Sequence, residues 1–132
     1  MAVQYSVDVR NAMLDAIETA TGATAKLMMY DGAMPANCAA AAAGTLLLTM
    51  TLPADWMANA AAGVKALSGT WTTTCSVSGT ATYYRIYDNS ETVCHEQGTV
   101  GTAATDIVLD NNVMVATQTV NIISKSITAG NA

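Results

Sequence analysis

The chain holds a single histidine, His95, in the string Cys94-His95-Glu96, the densest run of reactive side-chain types in the sequence. Those types suit a nucleophilic thiol beside an imidazole base, or a zinc site completed by further cysteines. Both chemistries require the side chains to converge. On an extended strand Cys94 and His95 point to opposite faces, so they form neither a nucleophile–base pair nor a shared metal site. Zinc would need Cys38 and Cys75 to join one of them across long spacings, with no close C-x-x-C pair.

The remaining polar residues are equally unpromising for catalysis. No G-x-S-x-G, Walker-type loop or G-x-G-x-x-G occurs. Asp106 and Asp110 bracket a short strand-like run, and Asp88 and Glu91 share a turn. Neither set has the dense oxygen spacing of a calcium loop, so both read as solvated turn acids. Cys38, Cys75 and Cys94 are odd in number and unevenly spaced, which predicts reduced, buried thiols and not a disulfide framework. The expectation is a protein that is not an enzyme and uses no cofactor or metal. Trp56 and Trp71 are the large anchors, suited either to a core or to a contact hot spot.

These residues must be positioned by one helix and a β-rich remainder. Ser6 suits an N-cap, Asp8 the first turn and Gly22 the stop, which predicts a helix over 6–22. Val9, Met13, Ile17 and Ala20 recur at helical spacing with Leu14 alongside, and Arg10, Asn11, Asp15 and Glu18 fall on the opposite face. Residues 25–129 then alternate between short apolar or Thr-rich runs and turn residues. About eight strands are predicted, near 25–30, 45–52, 65–74, 79–87, 92–100, 105–109, 113–116 and 119–129. The Ala-rich stretches 39–43 and 58–63 are open between a short helix and a loop. The fold class is mainly β: an antiparallel, jelly-roll-like β-sandwich with one N-terminal α-helix, in a single domain over 1–132. Tyr30-Asp31-Gly32 before Cys38 has a weak echo in Tyr87-Asp88-Asn89 before Cys94, which leaves a repeat or a coincidence open.

Composition narrows the partner class. Only 11% of the 132 residues are charged, with Lys+Arg 5 and Asp+Glu 10, against roughly 25% in an average soluble domain. Ala (25) and Thr (19) make up a third of the chain, and 52% is hydrophobic. A net charge of −5 with scattered basic residues argues against nucleic acid, and no apolar run approaches the roughly 18 residues that span a membrane. Met1 to Arg10 shows no basic start followed by an apolar core, so no secretory leader is expected there.

Several strings, in order, carry a likeness: VRNAMLDAIET (9–19), LMMYDG (27–32), PANCAA (35–40), GTLL (44–47), LPADWM (52–57), YRIYD (84–88), CHEQGTV (94–100) and ITAGNA (127–132). Together they resemble a family of small proteins encoded among the virion genes of tailed bacteriophages. The chain departs from that pattern at Ala39 to Ala43 and in the apolar segment 48–50. The resemblance implies a capsid cement or decoration protein on the capsid exterior of the virion. Such a protein is present in the host cytoplasm during assembly and binds between copies of the major capsid protein.

On this reading the protein is a homo-oligomer, a dimer or trimer, and its contacts run through the N-terminal helix or the Trp56 loop. Tyr5, Arg10, Trp56, Met57 and Trp71 are the candidate interface residues. Low charge should then map onto subunit contacts, whose cores are depleted in charged residues, while the acids cluster on an exposed face. Two alternatives are a receptor- or glycan-binding head-fibre or tail module, with an aromatic platform from Trp56, Trp71, Tyr83 or Tyr84, and a neck or tail ring subunit.

Overall fold

The computed structural model describes residues 3–129. Helix α1 (Val7–Thr21) has the ends that the sequence predicts. Ser6 Oγ accepts from the Val9 amide at 3.2 Å, and the Gly22 amide donates to Glu18 O at 2.9 Å. Gly22 sits at φ 91°, a conformation that side-chain-bearing residues rarely adopt, and this lets the chain leave the helix abruptly.

Eleven strands follow among the described residues: β1 (Lys26–Tyr30), β2 (Leu46–Thr51), β3 (Val64–Ala66), β4 (Thr72–Thr74), β5 (Gly79–Thr80), β6 (Tyr83–Tyr87), β7 (Cys94–Gly101), β8 (Ile107–Val108), β9 (Val113–Met114), β10 (Thr119–Asn121) and β11 (Ser124–Thr128). Seven form one sheet in the order β2-β1-β6-β7-β8-β11-β3, and β10-β4 and β5-β9 form two short ribbons. The fold is mainly β and sandwich-like.

Eight expected runs become eleven strands because three of them break. The run 65–74 opens between β3 and β4, where Gly69 takes φ 73°. In 79–87 the Ala81 amide bonds Asn112 O while the next amide, Thr82, bonds Tyr30 O. In 119–129 Ile122 bonds Trp71 O while Ile123 bonds Val108 O. At both places the chain passes from a ribbon to the main sheet within two residues, forming a corner of the sandwich.

One pairing departs from the antiparallel expectation: β7 and β8 run parallel. Parallel neighbours usually need a long crossover, but a two-residue strand needs only the excursion 102–106. Asp106 closes it, accepting from Thr99 N at 2.8 Å and Thr99 Oγ1 at 3.0 Å, so this turn acid is a clamp. Residues 39–43 and 58–63 contain no helix. The tyrosine–cysteine echo ends in unlike hairpins, because the connections are residues 31–45 and 88–93, and Cys38 lies in a loop while Cys94 opens a strand.

Both faces of β1 and β6 are covered, which explains the apolar run Leu27 to Tyr30 in β1 and a β6 that is apolar or aromatic except at Arg85. Leu27, Met29, Tyr84 and Ile86 enter the main core with Leu48, Met50, Trp56 and Trp71. On the other face Met28, Tyr30 and Tyr83 cluster beneath the loop 31–45, with the Tyr30 and Tyr83 rings stacked 4.9 Å apart.

Candidate contact surface

Helix α1 is rotated relative to the sequence expectation: of its predicted apolar residues, Leu14 and Ile17 meet the core while Val9, Met13 and Ala20 do not. Arg10, Asn11, Asp15 and Glu18, which the spacing places on the face opposite the apolar one, lie against the sheet edge at β3 and the loop 58–63. That edge offers unmet donors: the amides of Ala60 and Gly63 and the ammonium of Lys65. Asp15 Oδ1 accepts from Ala60 N at 2.9 Å and Lys65 Nζ at 2.8 Å, and Asn11 Oδ1 accepts from Gly63 N at 2.9 Å. Arg10 Nη1 donates to Ala129 O at 3.1 Å. A Cβ on Gly63 would lie 2.6 Å from Arg10 Nη1, so the guanidinium rests where only glycine leaves room. Buried amides need partners, and here the helix side chains supply them.

Lys65 is the centre of this dock. It is 2% exposed, pairs with Asp15 and with Glu18 at 3.3 Å, and donates to Ala58 O at 2.9 Å. The Lys65 hydrogen bond, then the Ala60 amide, holds the Asp15 carboxyl below its ordinary value. Glu18 moves the other way: burial, and next a hydrogen bond that its protonated carboxyl donates to Asp55, push its pKa up and outweigh its contact with Lys65. Around this polar centre Leu14 and Thr21 are buried and Ile17 packs against the core.

The opposite face of α1 is left bare. Val9 is 43% and Met13 52% exposed, and Ala12, Ala16 and Ala20 are exposed beside them. Positions 9, 13, 16 and 20 repeat at four, three and four residues, which aligns them in one stripe along the axis. The stripe contains no charged side chain. Val3, Tyr5 and Val7, each more than two-fifths exposed, extend the apolar surface past the start of the helix.

Of the candidate interface residues, Tyr5 belongs to this surface. Arg10 is half-buried in the dock. Trp56, Met57 and Trp71 are core residues with at most 1% exposure, a correction to their expected contact role. Trp56 Nε1 donates to Gly22 O at 3.0 Å, and Trp71 Nε1 is shared between Trp56 O and Ser68 O. Each indole thus has both its apolar ring and its polar handle satisfied inside. Tyr83 and Tyr84 are buried as well, so these four aromatics form no exposed platform.

Sequence reasoning missed the second buried lysine. Lys125 pairs with Glu96 at 2.7 Å and donates to Tyr84 Oη at 2.8 Å, while Tyr84 donates to Glu96 at 2.8 Å. Burial, and next the Glu96 charge, push the Tyr84 hydroxyl far up, so it stays protonated and donates. The three groups bond one another and tie β6, β7 and β11 together. A signal existed: Lys125 alternates with exposed Ser124 and Ser126, in phase with Ile127.

With Lys65, Lys125 and Arg85 all buried, three of the five cations are withdrawn from the surface. The exposed acids Asp8, Asp55, Glu91, Asp106 and Asp110 sit on separate turns and at the helix start. His95 is exposed and Cys94 half-buried at neighbouring strand positions. Among the described residues no group of three or more His, Cys, Asp or Glu is placed to hold a metal. Comparisons with family models, with curated proteins and with solved structures find no match to this chain.

Proposed function

We propose that this chain is a non-enzymatic structural protein of a tailed-bacteriophage virion, a cement or decoration unit bound between major capsid proteins on the head exterior. The observation that carries the reading is the uncharged stripe Val9, Met13, Ala16 and Ala20, held outward by a helix whose other face is locked to the sheet through Lys65. A face without charge can be desolvated at small electrostatic cost, which is what a protein contact requires. The sequence likeness to virion proteins supplies the partner class.

Area argues for an arrayed partner. A 15-residue helix is about 22 Å long and offers a face about 10 Å wide, well short of the ~800 Å² per partner of an ordinary stable complex. Such a contact is weak singly and strong when dimers or trimers repeat it across a lattice. Heads bearing Met13→Glu protein should lose the decoration while the free variant melts like wild type, and bare heads should fail at lower temperature. Full occupancy by Met13→Glu, or heads of equal strength without the protein, would overturn the reading. Copy number separates a head location, on the order of hundreds per particle, from a neck or tail ring of about a dozen.

A further inference from the structure

Loop 31–45 lies across the outer face of β6 and β7 and is gripped there by strand side chains. Arg85 Nη2 donates to Asn37 O at 3.1 Å and Ala40 O at 2.8 Å, and Gln97 Nε2 donates to Pro35 O at 2.8 Å. Asn37 Oδ1 accepts from the amides of Ala39 and Ala40, both at 3.0 Å, and so closes a tight turn around Cys38. Cys38 therefore sits between the two carbonyls that clasp the buried Arg85 guanidinium. Below it, Cys94 opens β7 opposite Tyr87, at the register shift of the β6–β7 ladder. Its Sγ donates to Glu96 O at 3.3 Å. Its cross-strand partner Tyr87 accepts from Arg85 Nη1 at 3.3 Å, so the guanidinium that holds the Cys38 turn also reaches the residue paired with Cys94. Both cysteines are free and half-buried.

We propose that Cys38 and Cys94 are a reversible disulfide pair, closed by thiol–disulfide exchange with a small-molecule disulfide, that fastens loop 31–45 to β7. Cys38 comes from loop 31–45 and Cys94 from the start of β7, and the Arg85 clasp holds the Cys38 turn on the face of β6 that carries Tyr87, the cross-strand partner of Cys94. Cys75 is separate: it is buried, with Sγ donating to Val77 O at 3.0 Å, and it accounts for the odd count.

The exchange balances with oxidised glutathione as the oxidant. Burial, then the Cys38 contact, pushes the Cys94 thiol up to about 12, so Cys38 is the first attacker. Its thiolate attacks one glutathione sulfur, breaking that S–S bond, forming a mixed disulfide and releasing one glutathione thiolate. Cys94 then gives up its proton and displaces the second glutathione, forming the Cys38–Cys94 bond. Two cysteine thiols are oxidised, one glutathione disulfide is reduced, and the two protons end on the two released glutathiones.

The test treats the folded, reduced protein with oxidised glutathione, then counts thiols after denaturation and measures the intact mass. The expected result is a fall from three free thiols to one, with a mass loss of about 2 Da. Closing a loop of nearly sixty residues should also raise Tm by about 10 °C, reversed by dithiothreitol. Cys38→Ser, at a half-buried position of a mostly exposed loop, and Cys94→Ser should each abolish the change, and Cys75→Ser should leave it. A persistent glutathione adduct on Cys38, a disulfide-linked dimer, or three thiols still free after treatment would overturn the proposal.

Discussion

Two rows of side chains run along α1, one through Arg10, Asn11, Asp15 and Glu18, the other through Val9, Met13, Ala16 and Ala20. The polar row docks beside Leu14 and Ile17, on the side that a surface helix ordinarily keeps apolar, and the second row is exposed. The polar row meets a sheet edge rich in donors, and each of its four side chains finds at least one partner there, although Arg10 Nε is buried without one. The apolar row meets water. A helix thus docks by what its neighbour requires: unmet amides and a buried ammonium hold acceptors more firmly than a thin stripe of Val, Met and Ala can hold itself inside. The burial that the stripe lacks in the monomer is left for a partner to provide.

The sharpest way to break this comparison is to remove the centre of the dock. Lys65→Ala should cost about 3 kcal/mol in denaturant unfolding, the low end for a broken buried pair, because Asp15 is 44% exposed and can turn to water. A cost under about 0.5 kcal/mol, the range of an ordinary surface change, would show that the polar row does not hold the helix. Neighbouring residues sharpen the same contrast. Leu14→Ala should destabilise by about 2–4 kcal/mol through its cavity, while Met13→Ala should fall within about 0.5 kcal/mol of wild type. Equal losses at 13 and 14 would mean that the helix is rotated from the orientation described.

The smallest effect is in pH, where the two carboxylates on Lys65 act with opposite sign. Asp15 is lowered by Lys65, so its stabilisation is complete above the ordinary aspartate range, near pH 4, and is lost as pH falls through its depressed value. Glu18 is raised by burial, so its contribution is present below the ordinary glutamate value and lost as pH rises through the elevated one. Thermal melts from pH 7 to 3 should show Asp15→Asn less stable than wild type at neutral pH, with the gap closing in acid. Glu18→Gln should be unchanged or more stable at neutral pH, and the reverse order would break the assignment.

Much of the frame was readable from the residues. Ser6 and Gly22 mark both ends of α1, and each strand-like run contains at least one strand, since capping and alternation are local properties. The orientation of the helix was not, because it depends on donors contributed by residues 58–65, far away in sequence. Lys65 and Lys125 escaped notice for the opposite reason: single lysines in alternating strands look like solvent markers until their acids arrive from α1 and β7. Trp56 and Trp71 could serve a core or a contact equally well as types, and only the carbonyls of Gly22, Trp56 and Ser68 decide between the two.

The withdrawal of Lys65, Arg85 and Lys125 has a colloidal consequence. With three of the five Lys and Arg side chains kept inside as internal counterions, the charge that the solvent meets is mainly anionic, so repulsion between free copies rests chiefly on carboxylates. As these discharge near the sequence pI of about 4.4, the coat of charge thins while the bare helix stripe remains. Mild acid should therefore drive free copies together while the buried lysine clusters still hold each one folded.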